Sequence, residues 1–178
     1  MVRQRVSEAL PAWRGFTSQA LAEADADGAR WLRHFVEVAA QQEAVATAQG
    51  PDGRLAAVRC SDVRVLSDAQ LLVGWSMPAA GEAAAVFERA THFALTVMGS
   101  EGEEWLRSLS QAGQEKFARI AFEFGRGGAP LPECAVATLE GVMRQRERRG
   151  GHAMFIGRAV KVRSTTAPGP FQGEITDD

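Results

Sequence analysis

The chain has 178 residues, 46% hydrophobic and 24% charged, with a formal net charge of -2. Such a chain buries roughly 70% of its unfolded surface as one domain, and its composition excludes disordered, collagen-like and disulfide-scaffold classes. No apolar run approaches the ~20 residues of a membrane span, Met1 to Phe16 lacks the apolar core of a signal peptide, and near-neutral charge argues against nucleic acid, so a cytoplasmic location is expected.

In chain order, residues 1–29 read as an Ala-rich, partly helical arm broken by Pro11 and Gly28. From Ala29, the apolar Trp31, Leu32, Phe35, Val38 and Ala39 recur at helical spacing and predict an amphipathic helix. The period then changes. Glu43–Gln49 and Arg54–Cys60 flank Gly50-Pro51-Asp52-Gly53, which predicts a hairpin. Gln70–Met77 is a buried strand, and Pro78 is expected to open a helix through Ala90, because proline at the first helical position loses no hydrogen bond. His92–Met98 is a further strand. Ser100 and Glu103 suit a capping box ahead of a helix carrying Trp105, Leu106 and Leu109.

After a Gly/Pro-rich loop, Cys134–Glu147 and His152–Arg163 flank Gly150-Gly151 as a long terminal hairpin. Met154, Ile156, Val160 and Val162 share one parity in its second arm. Residues 164–178 lose all periodicity and are expected to form an irregular arm or tail. Six or more strands with three or four helices predict a mainly β, α+β fold, a barrel decorated by helices.

Several chemistries drop out. His34, His92 and His152 have no metal-ligand spacing, and Cys60 and Cys134 are too few for a scaffold, so no metal is expected and the cysteines read as buried free thiols. Gly74-Trp75-Ser76-Met77-Pro78 lacks the last glycine of a nucleophile elbow, and no aspartate lies between Ser76 and His152. Gly125, Gly127 and Gly128 follow a helix rather than a strand, which excludes a dinucleotide fingerprint. What remains is an anion site: Ser76 with the amides of Ala79, Ala80 and Gly81 at the expected helix N-terminus suits a phosphate. The competing reading is that Ser76 merely caps that helix. The basic run Arg144, Arg146, Arg148 and Arg149 reads as a solvated hairpin tip.

The order of these features resembles the flavin reductase family, built on the FMN-binding split barrel. Glu115-Lys116-Phe117-Ala118 is similar to its DKF segment, Gly128-Ala129-Pro130-Leu131 to its GAPL stretch, with Thr138-Leu139-Glu140 following, and Gly151-His152 through Gly157 to its GDH-x-x-x-x-G hairpin. The resemblance covers about residues 30–163, leaving arms at 1–29 and 164–178. It implies FMN or FAD as cofactor, NAD(P)H as cosubstrate, a homodimer with the site near its interface, and in some members a partner monooxygenase. Carried over by position, His152 is implied as the catalytic histidine near flavin and nicotinamide. Arg59, Cys60, Ser61 and Asp62 are implied along the isoalloxazine, Trp75 and Ser76 with Ala79 in the phosphate segment, and Lys116 and Phe117 in the DKF match. The chain departs from the family where a hydroxyl-rich run is Val58-Arg59-Cys60-Ser61-Asp62-Val63-Arg64, and where a basic phosphate loop is Trp75-Ser76-Met77-Pro78. The expected function is a flavin reductase. Two rivals stand beside it: a divergent split-barrel enzyme of cyclisation or rearrangement with flavin absent or non-redox, and a non-catalytic ligand-binding subunit.

Overall fold

The computed structural model describes residues 26–165 and 171–174; the expected helical content of the N-terminal arm lies outside them. A helix, α1 (Ala26–Gln41), leads into strands β1 (Ala44–Gln49), β2 (Leu55–Ser67) and β3 (Leu72–Pro78). Helix α2 (Glu82–Arg89), β4 (His92–Met98) and α3 (Glu103–Ser108) follow, then the short strands β5 (Phe122–Phe124) and β6 (Pro130–Pro132). The chain ends in β7 (Ala135–Arg149), β8 (His152–Ser164) and β9 (Phe171–Glu174). All pairings are antiparallel, in the order β3-β2-β1-β4-β7-β8-β9. A further β3–β8 ladder closes the first six strands into a barrel. β5 and β6 form a separate two-stranded sheet. Closure removes the free edges that an open sheet would leave.

The barrel interior is aromatic. Trp75 lies 4.2 Å from Phe93 and 5.5 Å from Phe155 between ring centroids, and Phe155 lies 5.7 Å from Phe87. The ring of Phe93 occupies space that only glycine leaves open: a Cβ on Gly157 would fall 2.0 Å from Phe93 Cε1, and one on Gly141 2.3 Å from Cζ. Helix α1 packs Trp31, Leu32, Phe35 and Ala39 against the same core, as its periodicity predicts. A second cluster outside the barrel wall joins Val45 and Ala57 to Trp105, Leu106, Leu109 and Phe117.

The Gly/Pro-rich loop is pinned to that wall. Gly127 and Gly128 have φ of 61° and 79°, and a Cβ on either would strike His92 or Gln49. The Thr47 hydroxyl donates to Pro130 O at 2.7 Å, and the Arg126 amide donates to the buried Glu140 carboxylate at 2.8 Å. The GAPL-like stretch and the glutamate after it are thus one structural unit.

Four local expectations need correction. Pro78 ends β3, pairing with His152, rather than opening a helix; α2 starts only at Glu82, after Gly81 at φ 101°. The ladder to β2 has already stopped at Ser76, so proline's missing N–H is harmless there. Ser100 lies in a 3-10 turn, and α3 starts after Gly102 with no side-chain cap. The shared parity of Met154, Ile156, Val160 and Val162 breaks at a bulge between Ala159 and Lys161, so that Phe155 and Val162 both face the core. Finally, residues 171–174 form a strand on β8 where the sequence predicts an irregular arm. Backbone pairing asks for no side-chain periodicity.

The basic run is also more than a solvated tip. Arg146 Nε donates to Phe87 O at 3.2 Å and its Nη2 to Ala90 O, closing the carbonyl end of α2, where a cation also meets the helix dipole. Arg148 pairs with Glu88, and Arg149 with Glu147 at 2.9 Å.

Candidate functional site

Strand alternation divides the expected site residues between two faces. On β2, Val58 and Cys60 pack against the interior, so Arg59 and Ser61 face outward. On β3, Val73, Trp75 and Met77 fill the interior, so Ser76 faces outward. On β8, Ala153 and Phe155 point in, so His152 and Met154 point out. Register then aligns Ser61 with Ser76, Ser76 with Met154, and Met154 with Glu147 in one outward row across four strands. His152 sits two residues from Met154 on the same face, making a diagonal pair with Ser76 at about 7–8 Å.

Ser76 is the polar centre of this row. It is 1% exposed, and buried hydroxyls need partners. Its Oγ lies 3.0 Å from Ser61 Oγ and donates to Asp62 Oδ2 at 3.0 Å. Asp62 would face inward in a regular strand. A bulge between Ser61 and Arg64, with Asp62 at φ 56°, turns its carboxylate outward instead. Asp and Asn tolerate this left-handed conformation better than other non-glycine residues. Arg64 then faces outward opposite Gly74, with its Nη2 3.8 Å from Asp62 Oδ1.

The proton count fixes the character of this centre. Ser76 has one hydroxyl proton and gives it to the Asp62 carboxylate, so the Ser61 hydroxyl must donate to Ser76. Both serine protons are therefore used internally; Ser76 itself is buried, and of the pair the exposed Ser61 oxygen is the one whose lone pairs a ligand can reach. In this arrangement Ser61 suits an N–H or O–H group of a ligand better than a phosphate oxygen. Cationic donors stand on either side. Arg64 is one. Arg59 is the other, with Nη1 2.7 Å from Glu43 Oε1 and Nη2 donating to Leu106 O at 3.0 Å.

The anion site expected at Ser76 is accordingly not built as a helix N-terminus. Ser76 lies inside a strand, the Ala79 amide donates to Gly151 O at 2.9 Å, and the first turn of α2 carries Glu82. Trp75 and Cys60 are directed toward the interior, away from the outward row. Trp75 is fully buried, and its indole N–H has no acceptor among the described residues. Cys60 and Cys134 are free but half-buried rather than buried, and desolvation pushes the Cys60 thiol up to about 12. Phe117 belongs to the neighbouring apolar cluster, and the Lys116 carbonyl accepts from the Trp105 indole of the same cluster. Phe117 is buried beside Trp105, and Lys116 Nζ donates to Gln111 O at 3.0 Å, its pKa lowered mainly by burial. Arg59, Ser61, Asp62, Ser76 and His152 are the expected residues that share the outward face.

Sequence reasoning passed over Arg64, Glu43 and Met154. Arg64 had one signal, its i, i+2 spacing from Asp62, but a regular strand would also have put Asp62 on the wrong face. Glu43 and Met154 reach the site only through strand register. Among the described residues no group of three His, Cys, Asp or Glu side chains could hold a metal, and no helix is long and apolar enough to cross a membrane.

The donor set fits a flavin in a particular way. The Ser61 lone pairs suit a ring imide N–H or ribityl hydroxyls, and the two guanidiniums suit a phosphate. Asp62, bonded directly to Ser76, is the acidic group nearest the serine pair, with Glu147 further along the row and Glu43 on Arg59.

A model of the flavin reductase like domain matches residues 38–172. Among solved structures, the chain is similar to the NADH:FAD oxidoreductase of Streptomyces globisporus, solved with NAD and FAD fragments, at 20% identity and TM-score 0.63, covering 74% of this chain and 78% of that one. It is similar to nitrilotriacetate monooxygenase component B from Mycobacterium thermoresistibile at 17% identity and TM-score 0.63, covering 82% and 83%. A Sinorhizobium meliloti chain assigned as an oxidoreductase matches at 18% identity and TM-score 0.64, over 75% of this chain but 46% of its own length. At these identities the structural likeness speaks for the fold.

Proposed function

The chain belongs to the flavin reductase-like family, and from that premise we propose that it is an NAD(P)H:flavin oxidoreductase acting on FMN or FAD at the outward row Ser61–Ser76–Met154. The observation that carries this reading is the paired hydroxyl centre of Ser61 and Ser76, aligned across β2 and β3 and diagonal to His152. When bound, flavin supplies the ring that accepts hydride. The protein's part is to hold and orient. Ser61, held by Ser76, accepts hydrogen bonds from the ring edge or ribityl chain, Arg59 or Arg64 meets the phosphate, and exposed His152 orients the nicotinamide beside the row. We extend two family features to this chain: a homodimer with the site near the subunit interface, and a partner monooxygenase. The likeness to a monooxygenase component B supports the second.

Titration of the purified protein with FMN and FAD, followed by NADH or NADPH addition, tests the reading. A perturbed flavin spectrum and flavin-dependent loss of NADH absorbance are expected; no binding and no oxidation would overturn it. A second reading rests on Asp62: a carboxylate beside the row that disfavours anionic ring states suits non-redox use of the same face, and predicts flavin binding without NADH consumption.

A further inference from the structure

We infer that Asp62 makes the site discriminate between flavin redox states, holding the oxidised ring more tightly than the reduced one; this rests on the flavin reading above. Three observations converge on it. The Asp62 carboxylate is turned outward by a bulge at positive φ, against the alternation of its strand. It is bonded to Ser76 Oγ at 3.0 Å and its own side chain is 19% exposed on that face, so a ring laid over the row comes within about 6 Å of a negative charge. It also faces the Arg64 guanidinium at 3.8 Å, so one of the two flanking cations is committed to the carboxylate, whose charge it partly offsets.

Two-electron reduction leaves a flavin ring that is anionic at neutral pH, whereas the oxidised ring is neutral. A carboxylate within about 6 Å, at the effective dielectric of a partly exposed site, disfavours the anion by one to two orders of magnitude in binding. Both forms carry the same phosphate, so any repulsion there cancels in the ratio of the two affinities. The reduced product therefore leaves more readily than the oxidised substrate.

The test is Asp62→Asn, because asparagine keeps the left-handed backbone that the bulge requires and removes the charge. Dissociation constants of FMN in its oxidised and anaerobically reduced forms are measured for both proteins, together with the potential of the bound flavin. D62N is expected to tighten the reduced form about tenfold or more relative to the oxidised one, raising the bound potential by about 30 mV per tenfold change. An unchanged ratio overturns the inference while leaving the flavin reading intact. Failure of both proteins to bind either form overturns the flavin reading itself, and this inference with it. Asp62→Gly, which accepts the same φ, must reproduce the D62N ratio; if it does not, the charge is not the cause. Should D62N fail to fold, D62G takes its place under the same criterion.

Discussion

Ser76 donates its hydroxyl proton to Asp62 at 3.0 Å, and this one bond sets the polarity of the centre around it. With the proton committed there, Ser61 donates in turn, and its exposed oxygen keeps lone pairs with which to accept. Ser61→Ala removes that oxygen. Flavin affinity is expected to fall by up to about tenfold, corresponding to one neutral hydrogen bond of ~1 kcal/mol. Ser76→Ala should cost less, because Ser61 keeps its oxygen. Fluorescence titration of both variants checks the order.

His152 is exposed at the start of β8, and its ring has no hydrogen-bond partner among the described residues. His152→Ala should therefore leave the melting temperature unchanged, as for most surface substitutions. NADH-driven turnover is expected to fall by about tenfold or more with flavin affinity little changed, the pattern of a group that acts on the nicotinamide. Steady-state kinetics at saturating flavin separates the two effects.

The void that Gly157 leaves for Phe93 makes a stability prediction independent of function. Gly157→Ala puts a methyl 2.0 Å from Phe93 Cε1, an overpacking expected to cost about 1–3 kcal/mol. Phe93→Leu in the same chain should recover part of that loss, giving a non-additive double mutant in urea unfolding.

Arg146 closes the end of α2 through Phe87 O and Ala90 O. Arg146→Ala should destabilise by about 1 kcal/mol, with the exposed position moderating the charged hydrogen bonds. Lysine keeps the charge but cannot reach both carbonyls with one planar group. R146K is therefore expected to fall between wild type and alanine in urea midpoints.

Burial holds the Cys60 thiol protonated up to about 12 in the folded state, against 9.0 for a free thiol. A raised acid pKa means that folding favours the protonated form. This contribution is complete below pH 9 and is lost as pH climbs from 9 toward 12. Native Cys60 should resist alkylation at pH 8 while the unfolded chain reacts, and Cys60→Ala should flatten the alkaline fall in stability. Mass spectrometry and melts across pH read both.

The hairpins and the glycine loop were legible because turn chemistry is local: Gly50 to Gly53, Gly150-Gly151 and Gly127-Gly128 announce their own backbone. The helix placed at Pro78 was misread because proline suits both the first turn of a helix and the end of a strand pairing. The sequence around Ser76 suits a helix terminus that the structure does not contain, yet Ser76 stands at the centre of the outward row through pairings to β2 and β8. Trp75 was grouped with its neighbour in sequence, although adjacent strand residues face opposite ways. The facing of Asp62 and of Val160 is hidden for one shared reason. A bulge shifts facing by one residue, and nothing in the local pattern marks where it falls.

The β3–β8 ladder that closes the barrel also orders the protein's assembly in time. Ser76 and Met154 are partners across that ladder yet lie far apart along the chain. During synthesis β3 must wait, with one side unpaired, until the final hairpin emerges. Pairings of such long range are slow to form and expose a sticky edge meanwhile. The outward row through Ser76 and Met154 is therefore among the last parts of the molecule to form, and a chain halted before β8 would carry Ser61 and Ser76 without the strand that flanks them.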